Sequence, residues 1–256
     1  MNSGSEGFGH ELARLGVVLE AEEVAQLVSQ WKKRDLTPFS FPLRAINSLA
    51  DFVIEDCNDK LPPECLEHLQ TIKLRIFRMQ RLLEDLLEYS QVGHGQSLRQ
   101  TARSRAVIDR TIELCSIPST ISVEVIDEDV EVETWITPLE TCLRNLVGNS
   151  VKHRDSATGR IQVRCRQIDD FILFSVSDDG RGIPAEHFER VFRMFETLRR
   201  RDEVEGSGMG LALVKKTVET YGGSISVESL NEWSGTTFHL RWPNAMSKSS
   251  KSIGTS

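Results

Sequence analysis

The chain has 256 residues, enough for one large or two modest domains, and its 39% hydrophobic and 27% charged residues are ordinary for a globular protein. A net charge of −7 without a basic face argues against nucleic acid as a partner. No apolar run approaches the roughly 18 to 20 residues that span a bilayer, and the first residues lack the basic start and apolar core of a signal peptide. We therefore expect a cytoplasmic protein.

The two ends of the chain differ in composition from its middle. Residues 1–34 carry leucine, valine and tryptophan at helical spacing, which predicts a helical extension of one or two amphipathic helices. Residues 244–256 are rich in serine and lysine and predict a disordered tail. Between these ends we expect a helical domain over 35–92 and, after a glycine-containing linker, a mixed domain over 98–243.

Two helices joined by a proline turn are predicted between 35 and 92. Their apolar residues recur at alternating spacings of three and four, the a/d pattern of helices that pack as in a coiled coil. Pro62 and Pro63 interrupt the pattern, so the helices should form an antiparallel hairpin. The two stripes consist of Leu36, Phe39, Leu43, Ile46, Ala50, Val53 and Cys57, and of Cys65, Leu69, Ile72, Ile76, Met79, Leu83 and Leu86.

A two-helix hairpin cannot enclose a core alone. The economical solution is a four-helix bundle made by two copies, so the stripes predict a homodimer. The alternative, in which the hairpin packs on the chain's own globular domain, stays open at this point.

Beyond the linker the sequence alternates between strand and helix patterns. This predicts an α+β sandwich, with one mixed sheet covered by helices on one face. The predicted strands are 121–126, 130–134, 161–165, 171–176, 224–228 and 236–241, and the predicted helices are 138–153, 185–195 and 209–221.

An acidic glycine turn follows the predicted strand at 171–176. Asp178 stands at the strand end, where its carboxylate can accept a hydrogen bond from an exocyclic amine such as that of adenine. Gly180 and Gly182 allow backbone conformations and close approaches that a Cβ would block, and Ile183 completes the segment. Alone, the segment could equally be an ordinary hairpin turn, because Asp-Gly is a common turn pair.

A second glycine loop, GSGMGL, opens directly onto a helix. Its backbone N–H groups and the helix N-terminus suit an anion such as a triphosphate. No Gly-Lys-Ser or Gly-Lys-Thr follows, so it is not a Walker loop. The charged segment before it predicts a mobile lid, whose Arg199, Arg200 and Arg201 either contact phosphate or remain solvated. The loop consists of Gly206, Ser207, Gly208, Met209, Gly210 and Leu211.

A pair of asparagines lies four residues apart on one helix face. An amide oxygen such as that of Asn149 is a suitable ligand for Mg²⁺, which usually keeps waters and takes phosphate oxygens. Lys152, nearly one turn further, could reach phosphate as a point charge. For Asn145 a structural role, capping a neighbouring loop, stays open.

Together these segments resemble the ATP-binding domain of the sensor histidine kinases, of the GHKL or Bergerat type shared with gyrase, Hsp90 and MutL. The asparagine box reads NLVGNSVKH, the acidic glycine box reads SDDGRGI, and FERVFRMFETL is similar to the phenylalanine box. The resemblance covers about residues 35–243 and implies ATP and Mg²⁺ as cofactors. It implies that Asp178 binds adenine, that Asn149 holds Mg²⁺, and that the glycines of the loop line the phosphates, with His153 and Thr236 near the nucleotide.

The hairpin resembles the dimerisation and phosphoacceptor domain of the same family, but its acceptor box is degenerate. Residues 42–46 read PLRAI, the segment that follows the reactive histidine in many members. Thr37 stands at the histidine position and Pro38 at that of the neighbouring acid, so acceptor and general base are both missing. We interpret the pair as a helix N-cap followed by proline. The rival is phosphorylation of Thr37 or Ser40, although an unassisted hydroxyl is a poor nucleophile.

Three functions are compatible with this sequence. The first is a kinase that passes the γ-phosphoryl group of ATP to a histidine, or less readily a hydroxyl, of a partner protein. The second is a catalytically silent ATP-dependent binding switch, and the third is a serine/threonine kinase of the anti-sigma type, against which the hairpin argues. The expected partners are a second copy and a response regulator, histidine kinase or phosphotransfer protein. A sensor on a separate chain is expected, because few residues precede the hairpin.

Overall fold

A computed structural model describes residues 37–57, 60–94, 98–154, 156–198, 207–229 and 235–245. The predicted extension over 1–34, the three lid arginines, Gly206 and the tail beyond residue 245 lie outside the described residues. The chain divides into two compact units, with the boundary between Gln91 and Val92. Within the described parts, no helix is both long enough and apolar enough to cross a membrane.

The first unit contains the predicted hairpin, formed by α1 (Thr37–Cys57) and α2 (Pro63–Gln91). The backbone N–H of Lys60 donates to the carbonyl of Cys57 at 2.8 Å, which closes the last turn of α1. Pro63 occupies the first position of α2, where the missing N–H is not needed. Lys73 of α2 forms an ion pair with Asp51 of α1 and joins the two helices.

The least exposed face of α1 differs from the predicted stripe. Leu43, Ala50 and Cys57 are at least partly buried as predicted, and Asn47 and Ile54 join them. Ile46 and Val53, by contrast, are 47% and 42% exposed. The apolar surface of α1 is therefore wider than the part that one hairpin buries.

The second unit is an α/β sandwich in which helices and strands alternate. The predicted fold class, a helical hairpin followed by this sandwich, is confirmed, whereas the dimeric bundle stays a prediction. The elements are β1 (Gln100–Arg103), α3 (Ser104–Leu114), β2 (Ile121–Asp127), β3 (Glu131–Thr134), α4 (Ile136–Lys152), β4 (Gly159–Ile168), β5 (Phe171–Asp178), α5 (Gly210–Thr220), β6 (Ser224–Glu228) and β7 (Thr236–Pro243).

A five-stranded sheet in the order β2-β4-β5-β7-β6 forms one layer. Only its β2–β4 pair is parallel, and β1 and β3 form a separate antiparallel pair. Residues of β4 and β5 alternate between buried and more exposed, as expected when one sheet face is covered. The core contains Leu139, Leu143, Leu146 and Val147 of α4, Val214 and Val218 of α5, and Ile161, Val163, Phe174 and Val176 of the sheet.

The helix predicted over 185–195 is wrong. Two single-turn 3₁₀ helices stand there, Ala185–His187 and Arg190–Phe192, and Arg193 continues in extended conformation. Apolar residues three apart satisfy a 3₁₀ turn as well as an α-helix, because both place positions i and i+3 near one face. Strand β1 and helix α3 were not among the predicted elements.

Candidate nucleotide-binding site

Strand β5 ends at Asp178, whose carboxylate accepts hydrogen bonds from three parts of the fold. Its side chain leaves the same face as the buried Val176, since alternate strand residues share a face. Oδ2 accepts from the Ser150 hydroxyl of α4 at 3.1 Å. Oδ1 accepts from the N–H of Gly180 at 3.0 Å and from that of Thr236 at 3.3 Å. Three donors, from α4, the acidic turn and β7, thus fix one carboxylate.

Burial and polar contacts have opposite effects on the pKa of Asp178. Burial raises the pKa of this carboxyl above its ordinary value, although the hydrogen bonds from Gly180, Ser150 and Thr236 and the charge of Arg154 lower it. Among the described residues Asp178 forms no direct ion pair, and a partly buried carboxylate with a raised pKa is typical of a group held for binding or chemistry.

The acidic glycine turn is fastened to β6 and β7. The N–H of Gly235 donates to the carbonyl of Gly180 at 3.0 Å, and a Cβ on Gly235 would lie 1.9 Å from the carbonyl oxygen of Asp178. The Ser229 hydroxyl donates to the carbonyl of Gly235 at 2.7 Å and accepts from the N–H of Ile183 at 3.2 Å. The left-handed φ of +79° at Gly235 adds a second reason for glycine.

The described part of the second glycine loop precedes α5 directly. Ser207 Oγ accepts from the N–H of Met209 at 3.1 Å, and the Met209 side chain is fully buried. Gly208 has a left-handed φ of +73°, and its carbonyl accepts from the N–H of Phe195 at 3.0 Å. The loop is therefore held by the buried Met209 side chain and by a backbone hydrogen bond to Phe195 of the phenylalanine box.

Asn145 joins α4 to this loop. Its Nδ2 donates to the carbonyl of Thr141 one turn earlier at 2.9 Å. Its Oδ1 lies where a Cβ on Gly210 would come within 2.9 Å, so a side chain at the start of α5 would have to displace the Asn145 amide. Leu211, the next residue, packs against the core.

The remaining predicted residues lie at the C-terminal end of α4. Asn149 is partly buried and lies between Asn145 and Ser150, the two residues that contact the loop and Asp178. Lys152 ends the helix and His153 caps it, and both are exposed. The structure thus brings the asparagine box, the acidic turn, the second glycine loop and Thr236 together.

The described residues suit Mg²⁺ only if phosphate oxygens supply some of its ligands. Among the residues that the structure describes, no group of three His, Cys, Asp or Glu side chains could hold a metal ion. The amide oxygen of Asn149 is a hard ligand, and Mg²⁺ usually takes few protein ligands beside phosphate oxygens and water. The donor set therefore suits a nucleotide-bound Mg²⁺.

Four site residues escaped sequence reasoning, namely Ser150, Arg154, Ser229 and Gly235. Each acts through a partner that is distant in sequence. Gly235 carried a faint signal, since a glycine directly before a strand favours a special backbone conformation.

The segment predicted to be a degenerate acceptor box lies at the start of α1. Helix α1 begins at Thr37, within one residue of the predicted N-cap, and helix ends are uncertain by that much. The side chains of Thr37 and Ser40 lie outside the described residues. Pro42 stands inside the helix.

A cavity of about 620 Å³ lies on the other face of the five-stranded sheet. Arg164, Ser175 and His239 are among its lining, and the ring Nδ1 of His239 lies 2.9 Å from Ser175 Oγ. Asp178 alternates with these side chains and points to the helical layer. The cavity therefore opens on the sheet face opposite the Asp178 carboxylate, although Ser229 and Gly235 of the acidic-turn contacts also line it.

Comparison with known proteins identifies the second unit. Residues 136–246 match the family described as "Histidine kinase-, DNA gyrase B-, and HSP90-like ATPase". Cyanobacterial phytochrome B of Nostoc sp. is 31% identical over 252 residues, which cover 89% of this chain and 32% of that protein. The chain spans about a third of the length of the phytochromes that it matches.

Two solved structures extend the comparison. The mycobacterial sensor histidine kinase MprB is 30% identical, with a TM-score of 0.51 over 57% of this chain and 98% of that chain. The histidine kinase ThkA in complex with response regulator protein TrrA is 20% identical and supports the fold, with a TM-score of 0.60 over 95% of this chain and 68% of that chain. With its helical hairpin and ATP-binding domain, the chain belongs to the sensor histidine kinase family.

Proposed function

We propose that this protein binds ATP and transfers its γ-phosphoryl group to a histidine of a partner protein in two-component signalling. The observation that carries the proposal is the buried Asp178 carboxylate, held beside a glycine loop at a helix start, in a chain without histidine at the acceptor position. Because ATP is the proposed donor, we place the domain in the cytoplasm.

Recognition of adenine would depend on Asp178. Its carboxylate accepts the exocyclic amine, while Ser150, Gly180 and Thr236 hold the carboxylate from behind. Thr236 is itself 6% exposed and would lie beside the base.

The phosphates would lie along the second glycine loop. The N–H groups at the start of α5 face the anion, and the helix dipole favours it. Lys152 supplies a mobile positive charge, and Arg201 would reach from the lid. Asn149 would hold Mg²⁺, which in such sites neutralises charge on the terminal phosphates. These residues bind and orient ATP for in-line transfer.

The destination of the phosphoryl group is the second part of the proposal. A partner's imidazole nitrogen would attack the γ-phosphorus while the bond to the bridging oxygen breaks and ADP leaves. Thr37 has no adjacent general base, since Pro38 stands where the acid is expected. A histidine-bearing protein therefore suits the acceptor role better than a hydroxyl of this hairpin.

The hairpin offers apolar surface for two partners. Ile46, Val53 and Ile72 lie on the predicted seam yet remain 47%, 42% and 44% exposed, which suits burial by a second copy. Phe41 and Phe52 form an adjacent exposed row at 71% and 59%. We propose a signalling partner for that row, such as a response regulator, the kind of protein that ThkA binds in its complex.

Incubation with γ-³²P-ATP, Mg²⁺ and a histidine phosphotransfer protein tests the proposal. We expect acid-labile, alkali-stable label on a partner and none on this chain. Acid-stable label on this chain would instead show that one of its own hydroxyl groups, such as that of Thr37 or Ser40, is the acceptor and would contradict the proposal. A mutation of Thr37 to alanine serves as the matched control and should leave partner labelling unchanged.

A second candidate is an ATP-dependent binding switch. The simultaneous loss of the acceptor histidine and its neighbouring acid favours it, because both would be dispensable in a protein without transfer. ATP binding without label on any protein, together with a change in partner affinity, would support it. An anti-sigma-type serine kinase is disfavoured by the hairpin and its PLRAI segment.

A further inference from the structure

A buried arginine lies directly beyond α4, behind the candidate adenine site. The side chain of Arg154 is only 5% exposed, which is unusual for a guanidinium unless it is paired. Its Nη2 forms an ion pair with Oδ1 of Asp179, whose own side chain is 51% exposed. The buried charge is therefore directed at the residue that follows Asp178.

Gly159 provides the space that the guanidinium occupies. A Cβ at this first residue of β4 would lie 1.3 Å from Arg154 Nη2. The φ of Gly159 is not in the left-handed region, so its backbone conformation does not require glycine. The arginine is the physical reason for glycine at this position.

Asp179 transmits the contact to the acidic turn. Its Oδ2 accepts from the N–H of Arg160 at 2.9 Å, and its own N–H donates to the carbonyl of Arg160 at 3.3 Å. These bonds continue the β4–β5 ladder one step beyond the Ile161–Asp178 pair. The end of β5 is thereby fixed at the point where Asp178 projects.

We infer that Arg154 is a positioning residue that holds the adenine-binding carboxylate of Asp178 in place through Asp179. The inference rests on the proposed ATP binding and deepens it. Arg154 contacts no reacting atom in this account. Its positive charge also lowers the pKa of Asp178 and so favours the carboxylate that accepts the adenine amine.

Comparison of ATP with inosine triphosphate separates positioning from general stability. Inosine triphosphate has the same phosphates but lacks the 6-amino group, so its binding does not use the hydrogen bond to Asp178. Calorimetric titrations of the full chain with each nucleotide and Mg²⁺ should show roughly tenfold weaker ATP binding for Arg154→Met. Binding of inosine triphosphate should change less than about twofold, because the phosphate contacts remain.

Two further variants disturb the ion pair between Arg154 and Asp179 in different ways. Gly159→Ala keeps the arginine but displaces its guanidinium, and Asp179→Asn removes only the partner's charge, so both should reproduce the base-selective loss. Arg164→Met, at an exposed arginine on the open sheet face, should retain wild-type affinities. Melting temperatures establish folding, and if Arg154→Met does not fold, the half-exposed Asp179→Asn decides.

The positioning role would be overturned if folded Arg154→Met kept the wild-type ratio of ATP affinity to inosine triphosphate affinity. If Arg154→Met does not fold, the same result for Asp179→Asn would overturn it. Neither result would contradict ATP binding. Failure of the wild-type chain to bind ATP would overturn the proposed function itself, so the two failures are distinguishable.

Discussion

Burial of the Asp178 carboxyl group lowers the stability of the native protein when the group is ionised. Because burial raises its pKa in the native state, the native protein binds this proton more tightly than the unfolded chain does. The free energy of unfolding therefore falls as the pH rises from the ordinary carboxyl pKa to the raised pKa of Asp178. Above the raised pKa the full stabilisation by the bound proton is lost. A buried carboxylate that destabilises the empty domain at neutral pH is understandable if a ligand uses it.

Replacing this carboxylate should stabilise the domain. Asp178→Asn keeps an oxygen for the N–H groups of Gly180 and Thr236 and removes the buried charge, so we expect an unchanged or higher melting temperature at neutral pH. The difference from wild type should shrink as pH falls through the raised pKa of Asp178. Thermal unfolding by circular dichroism over a pH series measures this. A variant that melts well below wild type at neutral pH would show that the charge supports the fold.

The sequence predicts those site residues that belong to contiguous motifs. Asp178, Asn145 and Gly210 stand in short segments whose residue types limit the possible chemistry, and the structure places them in one site. Ser150 and Ser229 could not be predicted in this way, since a serine has many ordinary roles. Their importance follows from the register that brings α4 and β6 to the acidic turn. Arg154 in turn depends on space left by Gly159.

At the scale of elements, two glycines give opposite predictions. Gly210→Ala should weaken ATP binding roughly tenfold, because its Cβ would come within 2.9 Å of Asn145 Oδ1 and displace the amide that lies beside the loop. Gly148→Ala on α4 meets nothing within 4 Å and should raise stability by about 0.5 to 1 kcal/mol through helix propensity. Nucleotide titration and thermal unfolding of both variants measure the contrast. Equal ATP affinities would contradict the role assigned to the Asn145–Gly210 contact.

The helical hairpin yields a prediction about assembly. A glutamate at Ile46 or Val53 would place a charge in the seam between two copies, so each variant should shift the chain from dimer to monomer in sedimentation equilibrium. Ser48→Glu introduces the same charge on an exposed part of α1 off this seam and serves as the control. A wild-type chain that is already monomeric would contradict the dimeric bundle.

Element prediction succeeded where one periodicity dominates. The alternation of β5 reflects burial on one face of the sheet, and this strand formed close to the predicted bounds. The periodicity of the hairpin predicted two helices, although the least exposed face of α1 differs from the predicted stripe. The spacing of apolar residues in 185–195 fits both an α-helix and a 3₁₀ helix, so it could not predict that two 3₁₀ turns form there. Likewise, β1 is only four residues long and pairs with β3 alone, so it had too few alternating positions to be recognised.

At the scale of the whole molecule, the two units support different conclusions. The second unit carries a complete nucleotide-binding set of motifs and matches an ATPase family over 136–246. The first unit is a helical hairpin, and the assignment of Thr37 to the acceptor position stays a prediction from the sequence. The family match and the site therefore support ATP binding, whereas the proposed phosphoryl transfer to a partner must be tested by transfer experiments.

The most direct test of the central claim is a calorimetric titration of the full chain with ATP and Mg²⁺, performed in parallel on Asp178→Asn and Asp169→Asn. Asp169 lies in the turn at the other end of the β4–β5 pair, where its left-handed φ of 51° suits asparagine equally well. We predict that the wild-type and Asp169→Asn chains bind ATP alike and that Asp178→Asn binds it at least about tenfold more weakly. Equal affinities in all three chains, or no binding by the wild type, would contradict the account.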